Sequence, residues 1–171
     1  MNKTSFENYP IWTVLIANLQ SLLINAFGIF ILSKFGWIVA TIYALFILLL
    51  EYRLLITGCV NCYYYGKLCF SGHGLLCSFL LKKGDPTKFS SRNITWKDLF
   101  YDLLISLIPF VAGICLLIIH FSWAMLLAVI ALLLLSSLGN GFIRGNLACV
   151  FCKQRELGCP AEKLFKKTNK T

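Results

Sequence analysis

Residues 11–32 read IWTVLIANLQSLLINAFGIFIL, a run without one charged side chain. At about 1.5 Å of rise per residue, a helix of this length crosses a bilayer core of roughly 30 Å. A second run of that length, residues 99–121, carries only Asp102 near its start and His120 near its end. Two further runs, 37–50 continuing to 56 and 123–138 continuing to about Arg144, bring the total to four. The second contains Glu51 and Arg53 near its end, where long side chains snorkel to the headgroups at little cost.

Composition agrees. The 171 residues are 58% hydrophobic with a mean hydropathy of +0.77, against about 45–50% apolar in ordinary soluble domains. Four such runs leave too little polar chain to cover them, so an all-α integral membrane protein is expected. The runs are apolar on every face and lack the two-residue alternation of a barrel strand. Residues 11–32 are too long and too poor in basic flanking residues for a secretory signal peptide, and they offer no small-x-small cleavage site.

Charge sets the expected orientation. Four spans put both termini and the middle loop on one side, and of the sixteen Lys and Arg residues only Lys34 lies opposite. By the positive-inside rule the chain is a multi-pass cell-membrane protein with both termini cytoplasmic. The net charge of +9 then reflects topology and contact with anionic lipid, and gives no reason to expect nucleic acid as a partner.

On that same side a cysteine pattern occurs twice. Cys59, Cys62 and Cys69 are spaced C-x2-C-x6-C; Cys149, Cys152 and Cys159 repeat the spacing at an offset of 90, each opening on Cys-Val. The expected plan is two tandem hairpins, each followed by a cytoplasmic C-x2-C-x6-C segment and a short interfacial helix. The first such helix is expected around residues 75–81 before Lys82-Lys83, the second from Pro160 to Lys166-Lys167. Residues 1–85 form the first repeat, 86–98 a linker and 99–171 the second repeat, the two sharing one orientation. Thr95-x-x-Asp98 resembles a capping box for the third span, in which Pro109 predicts a kink.

In a reducing cytosol these thiols are not expected to form structural disulfides. C-x2-C places two thiolates on one turn, a spacing used by zinc and by iron–sulfur sites. The candidate metal ligands are therefore Cys59, Cys62, Cys69, Cys149, Cys152 and Cys159, with His73 and Cys77 as additional candidates in the first half. Cys115, in mid-span, reads as a small apolar residue. Seven thiols cannot fill two all-cysteine sites of four ligands, so one shared site and two separate sites both remain open. An almost all-cysteine donor set at a membrane interface favours an iron–sulfur cluster, with zinc as the alternative. The expected partners are the lipid bilayer and a cytoplasmic or membrane redox complex. The corresponding function is electron transfer, or anchoring of that complex; the alternative is a zinc-stapled accessory subunit without a redox role.

In size, span count and C-x-x-C pairs the chain also resembles the disulfide-bond-forming and quinone-linked membrane thiol oxidoreductases. That resemblance implies thiol–disulfide exchange, which needs its thiols on the oxidising side, opposite to where the charge bias puts them. The spans hold no carboxylate at mid-depth for an ion relay, no second histidine to pair with His120 around a haem, and no pattern of hydrolytic residues.

Overall fold

Pro10 fixes its φ at −63° and α1 (Ile11–Ser33) starts directly after it in the computed structural model, which describes residues 5–92 and 95–161. The chain reverses through Lys34–Gly36. Gly36 has φ 120°, a conformation closed to residues with a Cβ, and it releases the chain into α2 (Trp37–Thr57). After the first cysteine segment come α3 (His73–Leu80) and α4 (Pro86–Ser91). The second pair of long helices is α5 (Trp96–Ile119) and α6 (Trp123–Leu134). Thr95 and Asp98 form the expected capping box reciprocally. Within the stretch read as a linker, the Asp85 carboxylate accepts the Thr87 N–H at 2.9 Å and caps α4.

Four helical segments are long and apolar enough to cross a membrane: Ile11–Ser33, Trp37–Asn61, Asp98–Ile119 and Trp123–Phe151. Helices α1 and α5 form the central pair, α2 lies against α1, and α6 packs on both α1 and α5. The core is thin. Ile31, Met125, Ala128, Val129 and Leu132 meet at the α1–α5–α6 junction; Leu32, Tyr43 and Ile47 meet between α1 and α2. Most large aliphatics point outward, Trp37 and Ile38 being about four-fifths exposed (80% and 78%). So much apolar surface is unsustainable in water and compatible with contact to a lipid bilayer.

Two backbone irregularities inside the spans are repaired by side chains. Pro109 has no N–H, so the Ile105 carbonyl one turn earlier loses its helical donor. The Tyr43 hydroxyl reaches across from α2 and donates to that carbonyl at 2.5 Å. Its ring lies over Gly28, where an added Cβ would come within 2.6 Å of the phenolic oxygen. The fourth span departs from the sequence reading in length and shape. Beyond α6 the backbone widens into π-helical turns at Leu135–Gly139 and Ile143–Ala148, joined by Asn140–Phe142. Gly139, Gly141 and Gly145 hold an α-helix weakly, and the Gln20 amide donates to the Leu135 carbonyl at 2.9 Å. The helix therefore runs past Arg144 to the second cysteine segment.

Candidate functional site

The two C-x2-C turns have the same shape. Gly58 (φ −107°, ψ −64°) leads into a 3-10 turn, Cys59–Asn61, and the chain leaves it extended at Cys62 (φ −80°, ψ 151°). Ala148 (φ −95°, ψ −68°) leads into Cys149–Phe151, and Cys152 leaves extended (φ −78°, ψ 116°). In each, the second cysteine's N–H donates to the first's carbonyl, at 3.2 and 3.4 Å. The following bond matches too: Tyr65 N–H to Cys62 O and Arg155 N–H to Cys152 O are both 3.1 Å.

The two segments are bonded directly to each other. The Tyr63 N–H donates to Gln154 Oε1 at 2.7 Å, and the Tyr64 hydroxyl accepts the Lys153 N–H at 3.0 Å. Residues 6–9 are threaded between them. Phe6 pairs with the second segment through its N–H to Phe151 O (2.9 Å) and stacks on the Phe151 ring. Tyr9 donates its N–H to Leu68 O at 2.9 Å in the first segment and its hydroxyl to Ala148 O at 2.7 Å in the second. The Tyr64 hydroxyl completes the seam by donating to Phe6 O at 2.6 Å.

Three of the thiols are shown packed at this seam. Cys62, Cys69 and Cys152 pack against the buried Tyr9, Val14 and Tyr64. Cys77 is fully buried with its Sγ 3.8 Å from the Leu55 carbonyl. Cys69 Sγ accepts the Gly74 N–H at 3.2 Å. Cys115 is exposed on α5, and none of these contacts involves it.

His73 is turned to other partners. Its Nδ1 lies 2.8 Å from Ser71 Oγ, and its Nε2 lies 3.2 Å from Glu51 Oε2 on α2. Ser71 Oγ in turn stands 3.6 Å from Cys69 Sγ. Burial pushes the Cys62 thiol up to about 11, with the Tyr64 backbone N–H pulling the other way. Burial also raises the Cys152 and Cys77 thiols. These groups therefore rest as neutral thiols, and binding a metal would release their protons. Among the described residues no three His, Cys, Asp or Glu side chains converge as a group that could hold a metal ion. Cysteine sulfur is a soft donor of the kind zinc and iron use, but among the described residues the sulfurs are not gathered around one point.

Several residues of this seam escape a reading of the sequence. Tyr9 and Tyr64 carry no motif in the sequence, yet both are 2% exposed and tie segments together. Glu51 reads as a snorkelling carboxylate; its partner at close range is His73. The one signal available for Glu51 is a carboxylate two turns inside an apolar run. The expected interfacial helix after the first segment corresponds to α3, with Phe79 93% exposed. Beyond the helical onset at Pro160 and Ala161, the second lies outside the described residues.

No family model matches this chain, and no curated protein and no solved structure is detectably similar to it.

Proposed function

We propose that this is an integral membrane metal-binding protein, with an iron–sulfur centre held by cytoplasmic cysteine segments. It would carry one electron at a time between a soluble cytoplasmic redox partner and a second membrane component, or anchor that partner. The observation that carries this reading is the matched pair of C-x2-C turns, with the same backbone conformation at a 90-residue offset, bonded to each other at one end of the helix bundle. Matched turns after matched pairs of spans support two tandem hairpins of one orientation. In this reading the thiolates hold the metal and exchange no disulfide. The Gly74 N–H on Cys69 Sγ tunes the sulfur's electron density, and the Tyr9–Tyr64 cluster keeps water from the seam. A cluster supplies one-electron redox chemistry, the soluble donor being oxidised and the membrane acceptor reduced.

A zinc-stapled accessory subunit is the competing reading. The seam itself favours it, since Tyr64, Gln154 and Tyr9 already join the two segments as a structural clasp. Colour and metal content separate the two. Anaerobically purified protein is expected to be brown, to contain iron and sulfide, and to bleach with dithionite. Colourless protein with stoichiometric zinc would remove the redox role, and protein free of both metals would remove the metal reading.

The cytoplasmic placement of both termini and both cysteine segments rests on the distribution of basic residues. An impermeant thiol reagent applied to intact cells is expected to leave Cys59, Cys62, Cys149 and Cys152 unlabelled until the membrane is opened. Labelling from outside would reverse the orientation and, with it, the reducing-side argument.

A further inference from the structure

We propose that the outer face of α3 docks on anionic phospholipid at its own side of the membrane, and that this contact holds the first cysteine segment closed. The headgroup phosphates would meet Lys82 and Lys83, and the upper acyl chains would cover Leu75, Leu76, Phe79 and Leu80. No metal is needed for this contact.

Helix α3 has two unequal sides. Its buried residues are Gly74 and Cys77, which give little apolar area to pack. Its large apolar side chains face away: Phe79 is 93% and Leu80 62% exposed, and Leu75 and Leu76 are each about half exposed. Eight residues are too few for a helix to hold itself in water. Apolar area removed from water is what fixes so short an element, and on α3 that area lies on the outside. Two observations say what covers it. Cys77 Sγ lies 3.8 Å from the Leu55 carbonyl in the last turns of α2, where Leu54 and Ile56 are exposed too. The outer face of α3 therefore begins where the apolar surface of the second span ends. Lys82 and Lys83, both exposed, follow directly after Leu81, while His73–Leu80 contains no Asp, Glu, Lys or Arg. An uncharged apolar helix that ends in a lysine pair at the edge of a span is complementary to a negatively charged headgroup layer.

The inward side of the same helix closes the first cysteine segment. The Gly74 N–H donates to Cys69 Sγ at 3.2 Å, and the Gly74 carbonyl accepts the Gly66 N–H at 3.0 Å. Cys77 is fully buried beneath the helix. The Tyr65 hydroxyl donates to the Leu81 carbonyl at 2.7 Å and ties down the far end. Lifting α3 from the bilayer breaks these contacts together, bares Cys77 and frees Cys69 from its N–H donor. The charge of the lipid surface thereby sets how far the thiols of this segment are open to solvent.

The test places the full chain in nanodiscs of phosphatidylcholine alone or of phosphatidylcholine with phosphatidylglycerol. In the Phe79→Trp variant the indole emission is expected to be blue-shifted in the anionic discs and quenched by lipid brominated on its upper acyl carbons. In the wild type, alkylation of Cys77 is followed on its own peptide by mass spectrometry. It is expected to be about tenfold slower in the anionic discs, since each basic residue at an anionic surface contributes about fivefold in binding. High salt, or Lys82→Gln/Lys83→Gln, is expected to remove that difference, and Phe79→Ser to speed Cys77 alkylation in both kinds of disc. Water-like, unquenched emission in both would overturn the docking and leave the face to a protein partner. Equal quenching in both, with one Cys77 rate, would overturn the part assigned to lipid charge. Quenched emission with a Cys77 rate that Phe79→Ser does not change would overturn the coupling to the thiols. The wild-type comparison between the two lipids needs no substitution and so does not depend on any variant's folding.

Discussion

Gly74→Ala is expected to abolish the fold of the first cysteine segment. Gly74 sits in the first turn of α3, against the loop that carries Tyr64 and Lys67. A Cβ there would be driven onto the Tyr64 carbonyl oxygen and to within 2.5 Å of the Lys67 carbonyl oxygen. Both atoms are backbone, and neither can swing aside as a side chain would. The Gly66 N–H donates to the Gly74 carbonyl at 3.0 Å, and the Gly74 N–H donates to Cys69 Sγ. Displacing the glycine therefore breaks the closure of the loop and uncouples Cys69 from α3. Over-packing typically costs about 1–3 kcal/mol and more where the obstacle is rigid, so this substitution falls at or beyond the upper end. The variant should accumulate poorly, and in detergent its thiols should react with a thiol-activated fluorophore at a much lower temperature than wild type. Gly141→Ala is the control. An added Cβ there meets nothing within 4 Å, and alanine is the better helix former, so its melting curve should be unchanged or shifted slightly upward. A Gly74→Ala protein that melts with the wild type would mean that the loop is looser than its hydrogen bonds imply.

The parts of this molecule that could be read from the sequence are those set by short-range physics. Residues 11–32 announce a span because bilayer thickness and helical rise act on a contiguous run, and the Thr95–Asp98 capping box is legible because its partners are three residues apart. The matched conformation of the two C-x2-C turns follows from matched spacing. What stayed hidden depends on single contacts between distant residues. Tyr9 bonds Ala148, 139 residues away in sequence, and no local pattern distinguishes it from an interfacial tyrosine. Tyr43 answers the carbonyl freed by Pro109; the proline is visible, the residue that compensates for it is not. The widened turns after α6 lie where Gly139, Gly141 and Gly145 weaken the helix, but glycines at such positions equally permit close helix packing. The seam is the sharpest case. The cysteine spacing can be read from the sequence, and the aromatic and amide side chains that join the two segments carry no signature of that role.

Tyr64→Phe is expected to open that seam while leaving each half folded. The Tyr64 hydroxyl touches three chain segments at once: its own, the N-terminal strap through Phe6 O at 2.6 Å, and the second cysteine segment through the Lys153 N–H at 3.0 Å. Removing the oxygen orphans one carbonyl and one N–H beside a side chain that is only 2% exposed, at about 1–3 kcal/mol for each unsatisfied group. Burial pushes this hydroxyl up to about 12 from the usual 10. The bonded, neutral form is therefore favoured by folding. Its contribution is fully present below about pH 10 and fades as the pH rises towards 12, a dependence that the phenylalanine variant should lack. In the metal-free protein the variant should leave Cys152 much more reactive to alkylation than wild type, with Cys77, buried in the first half, unchanged. Tyr65→Phe is the matched control, since its hydroxyl bonds the nearby Leu81 carbonyl at 2.7 Å and its loss should fray the end of α3. If Tyr64→Phe and Tyr65→Phe expose Cys152 equally, the two cysteine segments are held together by something other than this hydroxyl, and the thiols facing across the seam lose the clasp that keeps them adjacent.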